Sequence, residues 1–263
     1  MKLRLFQIDA FTSDVFGGNP AAVVPLSSWL DDELMQQIAA ENNLSETAFF
    51  VPGEKRRGLR WFTPEAEIKL CGHATLASAF AIFTELEPGR GEVRFDTLSG
   101  ELTVTRSGDR LVMDFPVWRL ERLDAAPAAL AEALGTSPAE VLVTAERDNY
   151  FAVLGDQSEV ESLAPDMQSL AALHPAGVAV TAPGRDVDFV CRYFAPSYGV
   201  AEDPATGSIQ CGLMPYWVER LGRNALRSRQ VSRRGAEFFS ELRNGRTFIS
   251  GSAVKYLEGW IEI

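Results

Sequence analysis

Four side chains in this sequence have the types and settings that proton transfer needs: Glu46, Cys71, His73 and Asp203. Glu46 lies in Asn42-Asn43-Leu44-Ser45-Glu46-Thr47-Ala48-Phe49-Phe50, where a helix end meets an apolar strand. Poor solvation there raises a carboxyl pKa toward the range of a general base near neutrality. The same pattern also fits a solvated turn glutamate. His73 follows Cys71-Gly72 at a predicted helix start. Glycine admits a ligand, and the positive end of the helix dipole disfavours imidazolium, so a neutral imidazole can donate or relay a proton. Capping the helix is its alternative role. Cys71 is either a thiol base with a lowered pKa or, the favoured reading, a buried inert cysteine. Asp203 precedes Pro204-Ala205-Thr206-Gly207-Ser208, a run of good helix caps whose backbone N–H groups and hydroxyls also suit an anion. The other histidine, His174, sits in a loop and reads as structural.

The chain echoes itself. Phe62-Thr63-Pro64 reaches Cys71 nine residues after Phe62, and Phe194-Ala195-Pro196 reaches Asp203 nine residues after Phe194, an offset of 194 − 62 = 132 residues. Ala74-Thr75 and Ala205-Thr206 follow, each leading toward an amphipathic helix. An old duplication accounts for the echo, although so short a pattern also arises by chance. Duplication places Cys71 and Asp203 at equivalent helix entrances, so that two helix N-termini can face one cleft and hold a carboxylate or a developing enolate-like charge.

Several other chemistries are disfavoured. The sequence contains no Gly-x-x-x-x-Gly-Lys, Gly-x-Gly-x-x-Gly, Gly-x-Ser-x-Gly or His-Glu-x-x-His motif and no dense ligand cluster, so neither a cofactor nor a metal is expected. With 25 basic and 36 acidic residues the net charge is −11, which repels nucleic acid but still allows a small anionic substrate at a local dipole. Three widely spaced cysteines suggest no disulfide framework. The alternating first ten residues lack the apolar core of a signal peptide, and no apolar run approaches the roughly 20 residues of a membrane span. The cytoplasm is the default location.

The elements that must position these groups are readable from periodicity. Helices are expected over Asp31–Asn43, His73–Thr84, Ala128–Leu134, Asp166–Leu173 and from about Thr206 to Arg220, the last with a kink at Pro215. Strands surround them, including 47–51, 59–63, 93–95, 102–105, 111–115, 141–144, 150–154, 178–181, 187–193, 247–249 and 260–263. Strands outnumber helices without regular alternation, so an α+β fold with antiparallel or mixed sheets is expected. The stretch from Pro116 to Pro127 is the linker candidate, dividing 1–116 from 117–263, with the C-terminal strand able to return to the first half.

Taken in order, Asp9-Ala10-Phe11-Thr12, Phe16-Gly17-Gly18-Asn19-Pro20-Ala21, Ser45-Glu46-Thr47-Ala48-Phe49, Phe62-Thr63-Pro64, Cys71-Gly72-His73-Ala74-Thr75 and Glu202-Asp203-Pro204-Ala205-Thr206-Gly207-Ser208 resemble the phenazine-biosynthesis isomerase (PhzF-like) family. Gln230-Val231-Ser232-Arg233-Arg234-Gly235 and Ile249-Ser250-Gly251-Ser252-Ala253 extend the likeness toward the C-terminus. The resemblance implies a diaminopimelate-epimerase-like fold of two pseudo-symmetric domains, each a curved sheet around a central helix, with the site between them. It also implies a homodimer and no cofactor. It makes Glu46 the acid/base, assisted by His73 and Asp203, with Asn19 and the backbone at Gly72, Gly207 and Ser208 binding substrate. Related epimerases oppose two thiols. Here Asp203 stands where the second would be, and Cys211, eight residues on, does not restore it. Ile209 and Gln210 follow Ser208 where relatives carry a small residue, which bears on pocket shape and leaves the phenazine intermediate as one substrate among several. The expected activity is a cofactor-independent isomerase acting on a small carboxylate-bearing metabolite. The rivals are an epimerase or racemase using Cys71, and a non-catalytic small-molecule-binding protein.

Overall fold

The structure is a computed structural model that describes residues 1–146, 148–173 and 177–263. His174 lies outside the described residues. In chain order the elements are β1 (Lys2–Ala10), β2 (Asn19–Pro25), α1 (Asp32–Asn42), β3 (Glu46–Val51), β4 (Arg57–Phe62), β5 (Glu67–Ile68), α2 (Gly72–Ala81), β6 (Glu92–Thr97), β7 (Gly100–Ser107) and β8 (Arg110–Pro116). There follow β9 (Leu120–Arg122), α3 (Ala128–Leu134), β10 (Glu140–Thr144), β11 (Asn149–Val153), α4 (Gln157–Ser162), α5 (Met167–Ala171), β12 (Gly177–Pro183) and β13 (Phe189–Phe194). The last are α6 (Gln210–Leu221), β14 (Ala225–Gln230), β15 (Ala236–Arg243), β16 (Arg246–Gly251) and β17 (Ala253–Glu262). The chain forms two compact units, Met1–Asp114 with Ile249–Ile263, and Phe115–Phe248. The fold is α+β.

In the first unit β1 pairs antiparallel with both β2 and β17, β2 runs parallel to β3, and β3 antiparallel to β4. Successive strand residues point to opposite faces, so each strand carries two buried sets. Leu5, Ala22, Val24 and Phe49 pack on Met35, Ile38 and Ala39 of α1. The alternate set, Phe6, Ile8, Ala21, Val23, Ala48 and Phe50, is also buried. It faces α2, which lies on β1, β2, β3 and β17. Asn19 and Glu46 share the parity of that second set, so the first residues of β2 and β3 turn toward α2.

Helix α2 is buried all round, and its small residues Ala74, Ala77, Ser78, Ala79 and Ala81 let the strands approach closely. Its buried hydroxyls are satisfied within the helix: Thr75 donates to the Cys71 carbonyl (2.5 Å) and Ser78 to that of Ala74 (2.7 Å). The helix was expected to reach Thr84. It instead passes at Ile82–Leu86 into a π-helical turn closed by Glu87 N–H on the Ile82 carbonyl at 2.7 Å. Between β1 and β2, Phe11 (φ 63°) and Phe16 (φ 73°) occupy left-handed backbone, which is uncommon for aromatic residues. The Phe16 N–H donates to the buried Asp9 Oδ2 at 2.9 Å, and its ring meets Tyr256 edge-on.

The second unit is also mixed: β9, β10 and β11 are antiparallel, β11–β12 and β13–β14 parallel, and β12–β13 and β14–β15 antiparallel. On one face Leu213, Met214 and Trp217 of α6 pack on Phe151, Ala179, Phe189 and Leu226. On the other, Leu130 of α3, Val160 of α4 and Leu170 of α5 cover Val143, Ala152, Val178 and Val190. Pro215 sits inside α6 and cannot donate to the Cys211 carbonyl four residues back. That carbonyl accepts from Trp118 N–H instead, at 2.9 Å. Helix α4 was not foreseen. Its start is fixed by Asp156, whose side chain accepts from the N–H groups of Ser158 and Glu159. No helix among the described residues is long and apolar enough to cross a membrane.

Candidate active site

In the first unit the sheet geometry brings Glu46, His73, Cys71 and Asn19 together. His73 Nε2 stands 2.9 Å from Glu46 Oε2, with 6% and 14% of the two side chains accessible. At that distance the carboxyl and the imidazole form a close charge pairing. On the other ring edge, His73 Nδ1 lies 3.2 Å from Asn19 Nδ2 and 3.5 Å from Cys71 Sγ. Asn19 is wholly buried, and its Oδ1 accepts from the Ser45 hydroxyl at 3.2 Å. An amide can present its nitrogen or, turned over, its oxygen, and a hydroxyl both donates and accepts. The Ser45–Asn19 pair can therefore serve His73 with Nδ1 bare or protonated. Ser45 was not singled out in the sequence, and the side chain of Asn19, expected to bind substrate, also meets the imidazole.

Cys71 is the N-cap of α2, with extended backbone and no side-chain capping bond. The first N–H groups of a helix have no intrahelical partner, so Gly72 and His73 open the positive end of α2 beside the Glu46 carboxyl. The charges of Cys71 and His73 follow from their surroundings. The Cys71 thiol was read as a buried, inert cysteine in preference to a low-pKa base, and it is buried. Burial pushes it up, and Glu46 adds to the effect, so the thiol holds its proton. For His73 the helix dipole was expected to disfavour imidazolium, with its protonation state left open. Burial does oppose its charge, but the Glu46 carboxyl beside it outweighs burial and holds the imidazole above its usual value. A carboxyl at 2.9 Å counts for more than a helix dipole.

Asp203 belongs to the second unit. Its Oδ2 accepts from the Thr206 hydroxyl at 2.5 Å, and its N–H donates to the Tyr193 carbonyl at 3.0 Å. Gln230, wholly buried, closes the loop: Nε2 donates to the Asp203 carbonyl (2.6 Å) and Oε1 accepts from Thr206 N–H (2.8 Å). Sequence reasoning quoted Gln230 without giving it this work. The clue was a polar residue on the inward row Leu226, Ser228, Gln230 of β14. Helix α6 begins at Gln210, later than the expected Thr206, because Gly207–Ile209 form a turn in which Gly207 and Ser208 carbonyls accept from Gln210 and Cys211. Asp203 therefore caps a loop, whereas Cys71 caps its helix directly. Ile209, expected to shape the pocket, packs in the core with Phe189 and Leu213, and Gln210 spends its amide on Cys191 Sγ and Ser228.

The family model for "Phenazine biosynthesis-like protein" matches residues 8–259. The chain belongs to that family. Relatives of this chain include an uncharacterized isomerase of Pseudomonas aeruginosa, 49% identical over 263 residues that span 100% of both chains. A solved PhzF-family protein of Enterococcus faecalis is 42% identical with a TM-score of 0.96, covering 100% of each chain. A probable proline racemase of Agrobacterium radiobacter K84, 11% identical, superposes with a TM-score of 0.64 over 99% of this chain and 92% of its own, which extends the fold to the epimerase-like class. The chain is an enzyme of the isomerase class.

The charge on His73 gives the chain a pH signature. A folded-state pKa above the unfolded value, ordinarily near 6.5, means that protonated His73 stabilises the fold fully below 6.5 and that this contribution is lost as pH rises through the folded value. Thermal unfolding of wild type and His73→Gln across pH checks the sign. The stability advantage of wild type is expected to shrink on going from acidic to alkaline pH, and an advantage that grows with pH contradicts the pairing.

Proposed function

We propose that the chain is a cofactor-independent isomerase that moves a carbon-bound proton on a small carboxylate-bearing metabolite, with Glu46 as acid/base and His73 as its partner. One observation carries the reading: Glu46 Oε2 and His73 Nε2 face each other at 2.9 Å, nearly buried, at the N-terminus of α2. A substrate carboxylate suits the N–H groups opening that helix. Glu46 takes a proton from carbon next to an activated double-bond system, and charge then spreads over the substrate. His73 and the helix dipole stabilise that charge where it develops. Glu46 returns the proton at another carbon on the same face. A small anion as ligand, a homodimer as assembled form and the cytoplasm as location belong to this reading. A racemase led by Cys71 gains nothing from a thiol that burial keeps protonated.

Incubation in deuterated water with a panel of small unsaturated and α-substituted carboxylic acids tests it, read by proton NMR. Wild type is expected to wash deuterium into a carbon position of at least one acid. An acid that binds but exchanges no carbon-bound proton makes the protein a binder and sinks the reading. Asp203→Asn in the same assay reports whether the loop of the second unit takes part.

A further inference from the structure

Glu46, Cys71 and His73 each present one potential metal-ligand atom, and the carboxyl oxygen, Sγ and ring nitrogen lie within 4.8 Å of one another. Among the described residues this is the one trio of such side chains so close together. We propose that these three side chains bind a single thiophilic divalent cation of the zinc class, and that its occupancy blocks proton transfer. The second clause rests on the acid/base reading of Glu46 and His73, whereas the first does not.

The donor set is one thiolate, one imidazole and one carboxylate, which matches zinc in softness and supplies two negative charges against two positive. Ligands about 2.0–2.3 Å from a tetrahedral zinc are roughly 3.3–3.8 Å apart. Cys71 Sγ and His73 Nδ1 already stand at 3.5 Å, and Glu46 meets the opposite ring nitrogen at 2.9 Å. Glu46 and Cys71 face opposite ring nitrogens and the trio spreads over 4.8 Å, so binding must draw the side chains together on one of those nitrogens. Binding the ion replaces the 2.9 Å pairing of Glu46 Oε2 with His73 Nε2. On binding, Cys71 loses its S–H proton and His73 the proton of the ligating nitrogen, both to solvent. Three protein ligands leave a fourth position for water. The same three side chains thus offer an acid/base pair when metal-free and a closed ligand set when loaded.

Cobalt(II) alone, titrated into the purified full chain, is the probe. The expected result is one equivalent bound, with thiolate-to-cobalt charge-transfer absorption and the strong visible bands of four-coordinate cobalt, all displaced by zinc. Loss of an outer-shell partner costs about 10–100-fold in affinity, so loss of a ligand in Cys71→Ser is expected to weaken binding by at least about 100-fold and abolish the charge-transfer band. Glu46→Gln, which keeps the thiol and changes no volume, is expected to keep the band and weaken binding by at least about tenfold. Cys191→Ser and Cys211→Ser serve as controls and should retain it, since those thiols are buried elsewhere and pushed up to about 12. Absence of the band in wild type, its survival in Cys71→Ser, or equal affinity in Glu46→Gln overturns the site. None of these readouts uses turnover. Failure here therefore leaves the isomerase reading standing, and failure of the deuterium assay leaves this site standing.

Discussion

Glutamine in place of Glu46 is expected to lower proton transfer by about 10²–10⁴-fold, the share a positioned acid/base commonly supplies. The substitution keeps the volume and the strand register, because Glu46 opens β3 opposite Ala21 through its backbone. What it removes is a group that can hold a proton 2.9 Å from His73 Nε2. The anion-binding end of α2 is untouched, so kcat should fall while KM stays within a few-fold. Deuterium wash-in and steady-state turnover on an acid found by the panel measure both. Wild-type turnover in Glu46→Gln removes Glu46 from the chemistry. A fall in kcat/KM due to KM alone makes it a binding residue.

The second large effect is steric. Gly18 has φ +57°, and a Cβ there would lie 2.0 Å from the Ala10 carbonyl oxygen and 2.8 Å from Thr12 Cγ2. Ala10 ends β1, whose pairing with Asn19 fixes the start of β2, so the carbonyl cannot retreat without opening the ladder. Gly18→Ala is expected to cost more than about 3 kcal/mol, or roughly 6–12 °C in Tm. It should also loosen Asn19 and with it His73, lowering activity below what the lost stability explains. Gly89→Ala is the control, since Gly89 also has positive φ (+97°) but meets nothing within 4 Å. Calorimetry on the two variants separates the causes. If they melt alike, backbone conformation alone accounts for the loss and the close approach does not matter.

Much of this arrangement could be read from the chain. Apolar spacing marked α1 and α3 to within a residue or two, because each has one face to bury. The pairing of Glu46 with His73 came through family resemblance, and local pattern alone did not distinguish Glu46 from a turn glutamate. The shortfalls have physical causes. Helix α4 is six residues long, too short for a periodic signal, and only its cap, Asp156, announces it. The start of α6 was placed too early because Thr206 and Ser208 are good caps whose side chains and backbone went elsewhere, Thr206 to Asp203 and Gln230. The charge on His73 depends on a carboxyl 27 residues earlier in the chain (73 − 46), which no local rule about helix dipoles can see. The work of Ser45, Asn19 and Gln230 is likewise long-range: their side-chain bonds reach residues 26, 54 and 24 positions away.

The packing of α2 also bears on how proteins built this way can diversify. A helix buried on every side offers no neutral surface on which substitutions can drift: each residue from His73 to Ala79 meets packed neighbours. The connection from Thr12 to Gly17 is different, with Ser13, Asp14, Val15 and Phe16 open to solvent. It leads directly into Asn19 and the imidazole. Mutations at the exposed Ser13 and Val15 meet fewer packed neighbours, yet they lie one strand start away from the reacting groups. The proton chemistry is thus held by the part of the unit least free to change, and new substrate preferences are most accessible through the part freest to change.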